Sequence, residues 1–312
     1  INDGSKDKTL EISKRLEEKY SCVKILDKTN SGKANSLNDA LKIVDSELIA
    51  VTDADSYPKK DSVIKMIGYF EEEGVSAVTS RVLVKNKKNF LEKFQVLDYS
   101  IIAWSRKLLD FVDSVYVTNG PLSIYKTSVV KDLGGFDPKN LTEDIEITWH
   151  ILSVGLKTRM SYSAIVYTTV PSKFDNWVKQ RVRWNLGGIQ TVRRYYKSLF
   201  KNPEHVFGYF VIPYVASAFL LAIIGFLLFS RYLWIKGTYY LFSFIYLFQG
   251  YPFFKYLDFS FSLTLLIFFA LLFFILSIIQ YKLGFKNSET GNKSVLKILV
   301  YSVIYRSLYI IP

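Results

Sequence analysis

Apolar residues are unevenly distributed along the chain, and this limits the folds open to it more than any other feature. The 312 residues are 50% hydrophobic and 16% aromatic, but the long apolar stretches all lie after residue 205. A helix needs about 20 apolar residues to cross the hydrocarbon core of a bilayer, and several of these stretches approach or exceed that length. The sequence therefore predicts a soluble domain over residues 1–200, followed by an α-helical transmembrane region over 206–312.

The predicted transmembrane helices cover 206–230, 237–254 and 259–281. The second is shorter than the others and ends at Pro252. Residues 295–312 contain Lys297 and Arg306, which leaves two alternatives open for this segment. It can lie at the membrane interface, or it can begin a further span in which Arg306 is paired inside a helix bundle.

The charge of the chain indicates its cellular location. The formal net charge is +12, but the lysines and arginines are dispersed and no signature of a nucleic-acid-binding module is present, so no nucleic-acid partner is expected. Lys and Arg next to a transmembrane segment mark the cytoplasmic side, and basic residues from Arg181 to Lys201 precede the first predicted span. We therefore expect a multi-pass protein of the cell membrane with a cytoplasmic soluble domain.

Segments of helical and strand periodicity alternate through the first 200 residues. Residues 7–19 have a helical pattern, whereas Val23–Leu26, Leu48–Thr52 and Val75–Val84 are short apolar runs typical of buried strands. Cys22, at the start of the first run, is predicted to be a buried structural residue. The alternation predicts an α/β fold with a mostly parallel sheet, helices on both faces, and ligands bound beyond the carboxyl ends of the strands.

Two aspartates, Asp53 and Asp55, follow the predicted strand Leu48–Thr52. On an extended backbone their side chains point the same way and can share one divalent cation that also contacts a diphosphate. This spacing predicts an Mg²⁺ or Mn²⁺ site. The alternative is a purely structural role, since Asp-x-Asp is common where a strand enters a turn. Asp3, at the end of another predicted strand, favours the binding site.

Two further motifs stand at predicted helix N-termini. Gly32 and Lys33 can offer backbone amides and an ammonium group to a phosphate, although a solvated lysine would have the same pattern. In Thr142-Glu143-Asp144, Thr142 can cap the helix, and acids in a first turn complement the helix dipole without any catalytic role. Each motif alone is therefore open to a structural interpretation.

A polar and aromatic patch is predicted just before the apolar region. Gln180, Arg183 and Trp184 lie at i, i+3 and i+4, so they share one face of a helix. Arg183 can donate paired hydrogen bonds to a diphosphate leaving group, and Trp184 can offer an apolar platform to a sugar. The alternative is an Arg–Trp anchor at the membrane interface.

The order of these motifs resembles that of the processive, membrane-embedded inverting glycosyltransferases of family 2. Chitin, cellulose, hyaluronan and poly-N-acetylglucosamine synthases belong to that family. The resemblance covers residues 1–200 and implies a GT-A-type, Rossmann-like nucleotide-sugar domain. It also implies a further strand of this domain before residue 1.

The resemblance implies roles for individual residues. It implies a UDP-sugar site formed by Asp3, Lys33, Asp53 and Arg183. It implies a metal ligand, Asp55, and a general base, Asp144. It implies contacts to the acceptor and the diphosphate from Glu143, Gln180 and Trp184. The segment Gly120–Lys126 is similar to the one that lines the acceptor end of the site.

The implied function is UDP-sugar-dependent, processive synthesis of a β-linked polysaccharide at the cytoplasmic face, with export through the spans. Thr142–Trp149 and Trp177–Gly188 look closest to poly-N-acetylglucosamine synthases, so UDP-N-acetylglucosamine is the leading donor. Membrane lipid and an accessory membrane subunit are the further partners implied. Two alternatives stay open: transfer of a single sugar to a lipid acceptor, and a membrane binding or assembly protein without catalytic activity.

Overall fold

The computed structural model describes residues 1–201, 206–248, 265–286, 300–305, 308–309 and 311–312. The chain divides into two compact units, Ile1–Pro213 together with Pro312, and Tyr214–Ile311. All of the predicted site residues lie in the first unit.

The first unit opens with two short strand–helix pairs. β1 (Asn2–Asp3) precedes α1 (Thr9–Lys19), and β2 (Asp27–Lys28) precedes α2 (Lys33–Ile43). The two strands pair in parallel. The sequence predicts a strand over Val23–Leu26, but β2 begins only after this apolar run. Cys22 is exposed, contrary to the prediction, because the run that follows it lies outside the sheet and is only partly buried.

The central sheet has five strands, in the order β3 (Leu48–Val51), β6 (Ser123–Lys126), β5 (Val75–Val84), β7 (Lys157–Thr168) and β4 (Ser56–Pro58). Only β5 and β7 run parallel, whereas the other three pairs are antiparallel. The prediction of a mostly parallel sheet is therefore wrong, and the sheet is mixed. Hydrophobic periodicity reports that a strand is buried, but it does not report the end from which the strand enters the sheet.

Side-chain alternation along β5 and β6 places an apolar layer on each face of this sheet. The cross-strand partners Ala77 and Tyr125 belong to one buried cluster, and the partners Val78 and Ile124 belong to the other. The first cluster also contains buried residues of α2 and α6 (Ala34, Leu41, Ile147 and Ile151). Core packing thus anchors the two helices that begin with Lys33 and Glu143.

The remaining elements of this unit are helices and helical turns. They are α3 (Ile64–Ile67), a 3₁₀ turn (Gly68–Glu71), α4 (Phe90–Asp110), α5 (Thr127–Asp132), α6 (Glu143–Ser153), α7 (Phe174–Tyr195), a 3₁₀ turn (Tyr196–Ser198) and a π-helical turn (Phe207–Val211). Helix α6 begins after Thr142 as predicted. The Thr142 hydroxyl does not cap it, however, but donates a hydrogen bond to Asn140 Oδ1 at 3.2 Å.

The second unit contains α8 (Ile212–Phe248) from its third residue onward, α9 (Leu265–Lys286) and a π-helical turn (Tyr301–Tyr305). The sequence predicts a break between 230 and 237, but α8 continues through it for 37 residues, about 55 Å. Arg231 and Lys236 lower the hydropathy of this stretch, yet both residue types favour helices. The predicted features at 252, 259–264, 297 and 306 lie outside the described residues.

One stretch of the described chain meets the length and hydropathy requirements of a membrane-crossing helix. It covers Phe207–Phe242, and an 18-residue window within it has a mean hydropathy of 2.4. A shorter apolar helical stretch covers Phe274–Gly284. The multi-pass arrangement stays a prediction from the sequence.

Candidate active site

Three charged side chains predicted to belong to the site meet at one point, and we call them the charge cluster: Lys33, Asp53 and Glu143. The Lys33 ammonium lies 2.6 Å from Asp53 Oδ1 and 2.8 Å from Glu143 Oε1. Lys33 begins α2, Asp53 follows β3, and Glu143 begins α6. Burial lowers the pKa of Lys33, but the charges of Glu143 and Asp53 outweigh it and raise that pKa overall. The lysine therefore remains a cation that joins three elements.

Asp3 supports the loop that leads to Lys33. Its two carboxylate oxygens accept hydrogen bonds from the amides of Ser31 and Gly32, both at 2.9 Å. The hydrogen bond from Ser31 contributes most to lowering the pKa of Asp3. Gly32 has a φ of 87°, in the left-handed region that glycine adopts without strain. Of the backbone amides predicted to be available for a phosphate, that of Gly32 is therefore bound to Asp3 in this structure.

Asp53 and Asp55 lie in a turn rather than on an extended backbone. The Ser56 amide donates to the Asp53 carbonyl at 3.0 Å, which closes the turn between β3 and β4. The predicted extended geometry is therefore wrong. The chain turns here because β3 and β4 lie at opposite edges of the sheet, so it must change direction between them.

Asp55 is the carboxylate best placed to meet a cation that arrives with a ligand. Among the residues that the structure describes, no group of three or more His, Cys, Asp or Glu side chains is arranged to hold a metal ion. Mg²⁺ usually takes one or two carboxylates and completes its coordination with phosphates and water, and carboxylates also suit Mn²⁺. The exposed Asp55, two residues from Asp53, fits such a substrate-dependent site.

Asp144 lies beside the charge cluster in the first turn of α6 and is half-buried. Burial, followed by the negative charge of Glu143, raises the pKa of Asp144 to about 6, while Lys33 and the Ile145 amide oppose the shift. The carboxylate is therefore ionised at neutral pH, yet it is more basic than an ordinary aspartate. Such a group is suited to accept a proton from a hydroxyl within hydrogen-bond reach.

Buried hydroxyl groups fix the backbone beneath Asp144. Thr148 Oγ1 donates to the Asp144 carbonyl at 2.5 Å and lies 2.6 Å from Thr118 Oγ1. Thr118 Oγ1 in turn lies 2.8 Å from the Tyr125 hydroxyl on β6. No spacing in the sequence indicates this network, because Thr118 and Thr148, which join its two halves, are 30 residues apart in the chain.

The Gly120 backbone passes directly over the charge cluster. A Cβ at this position would lie 2.6 Å from Asp53 Oδ2 and 2.9 Å from Lys33 Nζ. The neighbouring Pro121 carbonyl accepts a hydrogen bond from Thr52 Oγ1 at 2.6 Å. The segment Gly120–Lys126 thus serves two purposes: its first residues lie at the cluster, and its last four form the strand β6.

Helix α7 carries Gln180, Arg183 and Trp184. Arg183 is exposed, with Nη1 3.4 Å from the Leu141 carbonyl just before α6. Gln180 and Trp184 are half-buried. The Arg183 side chain therefore contacts the backbone of the residue that directly precedes the acidic motif. Within the described part of the chain, none of the three patch residues forms a hydrogen bond or ion pair with the charge cluster.

A close helix contact joins α7 to the start of α6. A Cβ on Gly187 would lie only 2.2 Å from Thr142 Oγ1 and 2.6 Å from Thr142 Cγ2. Because real Cβ atoms do not approach so closely, any side chain at 187 would displace α7 or Thr142. Gly187 therefore sets the position of the patch relative to Glu143 and Asp144.

Two residues of α4 near the site were not predicted. Burial raises the pKa of Tyr99, and the charges of Arg181, Asp98, Asp55 and Asp53 also act on it. Burial lowers the pKa of Arg106, and it outweighs the charges of Tyr116, Asp144 and Tyr99, which act to raise that pKa. Tyr99 and Arg106 are seven residues apart, so they share one helix face. No motif in the sequence indicates that this face borders the aspartates.

The structure describes one of the two histidines of the chain. His150 is half-buried on α6, with its ring centroid 6.2 Å from that of Tyr195. His205 lies outside the described residues.

Comparison with known proteins gives the family of the chain. Residues 1–187 match the family described as "Glycosyltransferase like family 2". The chain belongs to this family. The resemblance of the motifs to family 2 is thereby confirmed.

Two named relatives align with about two thirds of this chain. The poly-β-1,6-N-acetyl-D-glucosamine synthase of Staphylococcus aureus (strain COL) is 31% identical over 204 residues, 65% of this chain and 50% of the relative. The synthase of the same name from Staphylococcus epidermidis is 31% identical over 206 residues, with the same shares. The chain thus spans about half the length of these curated relatives.

A solved structure has a similar fold. It is a mannosyltransferase from Pyrobaculum calidifontis in complex with GDP-mannose and Mn²⁺, which aligns with a TM-score of 0.50 and 21% identity over 71% of this chain and 64% of the other. At this identity the likeness concerns the fold alone. It supports a GT-A glycosyltransferase-like first unit with a mixed sheet.

Proposed function

We propose that the protein is a processive, inverting glycosyltransferase that extends a β-linked polysaccharide with N-acetylglucosamine from UDP-N-acetylglucosamine. The observation that carries this proposal is the position of Asp144, a carboxylate with a pKa raised to about 6, next to the charge cluster. Family membership and the name of the staphylococcal relatives support the reaction class and the sugar.

The donor is proposed to bind at the charge cluster. Asp3 and Asp53 would contact the uridine, and Lys33 would exchange its partner Asp53 for the diphosphate while the buried Glu143 stays beside it. This exchange is feasible because the Lys33 and Asp53 side chains are 41% and 30% exposed, and ion pairs open to water are weak. Asp55, with the substrate diphosphate, would hold Mg²⁺ or Mn²⁺, which would neutralise charge on the leaving group when bound.

The chemical step is a single displacement. Asp144 accepts the proton of the acceptor hydroxyl, whose oxygen attacks the anomeric carbon from the face opposite UDP. The bond between that carbon and the UDP oxygen breaks, and UDP leaves with the electron pair. Arg183 is proposed to donate hydrogen bonds to the departing diphosphate. Base catalysis of this kind contributes about 10²–10⁴-fold to the rate.

The acceptor is proposed to approach from α7 and α6. Trp184 would offer its ring face to the terminal sugar, while Gln180 and Glu143 would provide polar contacts to the acceptor or the diphosphate. The polymer would leave through the helices that follow, in a multi-pass protein whose first unit is cytoplasmic. Membrane lipid and an accessory membrane subunit are the partners we propose for this stage.

The proposal is tested by UDP release from the full-length protein in lipid vesicles containing Mg²⁺ or Mn²⁺. UDP-N-acetylglucosamine, UDP-glucose and UDP-glucuronate are offered separately, and product length is read from the same reactions. Long polymer from UDP-N-acetylglucosamine is the expected result. Products that carry a single sugar on a lipid would contradict polymer synthesis and indicate lipid glycosylation. No turnover with any donor would indicate a non-catalytic binding protein.

A further inference from the structure

A buried ion pair joins α4 to α7 outside the predicted site residues. Arg181 Nη2 lies 3.1 Å from Asp98 Oδ2, and each side chain is only 2% exposed. Removing two charges from water is costly, and a buried pair is often no more stabilising than apolar side chains of the same size. We therefore look for the role of this pair in the geometry that it imposes.

Arg181 lies between two tryptophans along one face of α7. Its guanidinium carbon is 4.1 Å from the ring centroid of Trp184 and 5.8 Å from that of Trp177. Trp177 is fully buried and stacks on Phe174, with ring centroids 5.6 Å apart. Trp184 is half-buried. One face of the Trp184 ring thus contacts a cation that an aspartate from another helix holds in place.

The other end of the ion pair adjoins the donor side. Asp98 precedes Tyr99 on α4, and the charges of Arg181, Asp55 and Asp53 all act on the Tyr99 hydroxyl. The ion pair and the turn that contains the two aspartates therefore both lie near Tyr99.

We propose that Asp98 and Arg181 are positioning residues that fix the plane of the Trp184 ring for the acceptor sugar. This inference rests on the proposed function, in which Trp184 receives the acceptor. Stacking of a sugar on an aromatic ring depends on the orientation of the ring, and the planar guanidinium defines that orientation as a lysine ammonium cannot. Loss of the guanidinium weakens acceptor binding and leaves donor binding unchanged.

The test measures binding and turnover separately with the full-length protein. Binding of a β-1,6-linked N-acetylglucosamine oligosaccharide is measured by calorimetry, and UDP release is measured with UDP-N-acetylglucosamine. The variants are Arg181→Lys, which keeps the charge, and the double change Asp98→Leu with Arg181→Met, which leaves no buried charge unpaired. Lys179→Met is the control, because Lys179 is an exposed cation on the same helix.

We expect the oligosaccharide Kd to rise about tenfold in both variants, because the Trp184 ring loses the planar guanidinium that fixes its orientation. The KM for the donor and the thermal midpoint should stay close to those of the wild type, as should all values for Lys179→Met. An unchanged Kd in folded Arg181→Lys and the folded double variant would overturn the inference, as would absence of oligosaccharide binding by the wild type. Absence of UDP release alone would instead overturn the proposed function.

Discussion

The charge cluster and the α7 side of the site are held together by different kinds of contact. The cluster consists of ion pairs that are partly open to water, with the Lys33 side chain 41% exposed. The α7 side is held by the buried Asp98–Arg181 pair and by the contact of Gly187 with Thr142. Solvated ion pairs exchange partners at little cost, whereas a buried pair that loses one partner leaves an uncompensated charge.

This difference separates an adaptable side, where we propose that the donor binds, from a rigid side, where we propose that the acceptor binds. At the charge cluster, the Asp53 side chain is 30% exposed, so it can release Lys33 to a diphosphate and return to water, while the buried Glu143 stays in place. The Trp184 platform has no such freedom, because its support is buried between two helices. Asp144 lies at the border, close to the cluster yet anchored through buried hydroxyl groups.

The largest effect is expected from Asp144→Asn, which removes the proposed base with little change of shape. We expect kcat for UDP release to fall by about 10²–10⁴-fold. The control is Asp175→Asn, an exposed acid in the first turn of α7, for which no change is expected. Equal rates for the two variants would remove Asp144 from the mechanism.

The same Asp144→Asn substitution should stabilise the folded protein. Folding raises the pKa of Asp144 from 3.8 to about 6, so the folded state binds the proton more tightly than the unfolded state does. The stability that this proton adds is fully present below the unfolded-state pKa and is lost as the pH rises through the folded-state pKa. The asparagine variant should therefore gain about 2–3 kcal/mol over the wild type at pH 8. The gain should develop between pH 4 and pH 6, as measured by chemical denaturation. A gain that is the same at pH 3.5 and pH 8 would contradict the raised pKa.

The rigid side is probed by Gly187→Ala, which places a methyl group against Thr142. We expect a loss of about 1–3 kcal/mol in the free energy of unfolding, as for other overpacked sites, together with a lower kcat because α6 moves. Adding Thr142→Ala should recover part of the loss, which a double-mutant cycle measures. Gly68→Ala is the control, since nothing lies within 4 Å of a Cβ there. Strict additivity of the two changes would show that they do not interact.

The smallest effects are shifts of the pH profile, and they should have opposite signs. Lys33 lowers the pKa of Asp144 and Glu143 raises it. Lys33→Met should therefore move the acid limb of the kcat/KM profile to higher pH, and Glu143→Gln should move it to lower pH. We expect shifts of about one unit or less, because solvent screens the cluster. Shifts in the same direction would show that these charges do not act on the base.

Local patterns predict some parts of this molecule well. The strand Val75–Val84 and the start of α6 after Thr142 follow from apolar runs and from acids at a helix N-terminus, because burial and helix dipoles act on neighbours in the chain. Both features depend on short stretches of sequence. The contact of Lys33 with Asp53 joins two motifs 20 residues apart, and it agrees with the single site that the order of the motifs implies.

Other features depend on where distant segments meet, which periodicity does not contain. The direction of β6, and with it the mixed sheet, is set by how the chain returns after α4. Asp98 and Arg181 are far apart in sequence and pair only because α4 and α7 pack together. Gly120 looks like an ordinary turn glycine until the fold brings Asp53 beneath it.

The most direct test of Asp144 as the base is the pH dependence of kcat/KM for UDP release by the wild-type protein, measured from pH 4.5 to 8.5 with saturating Mn²⁺. This quantity reports the pKa of the essential base in the free enzyme. We predict an acid limb with its midpoint at about pH 6 that is absent from the residual activity of Asp144→Asn. A midpoint near pH 4, or the same limb in the variant, would contradict the assignment.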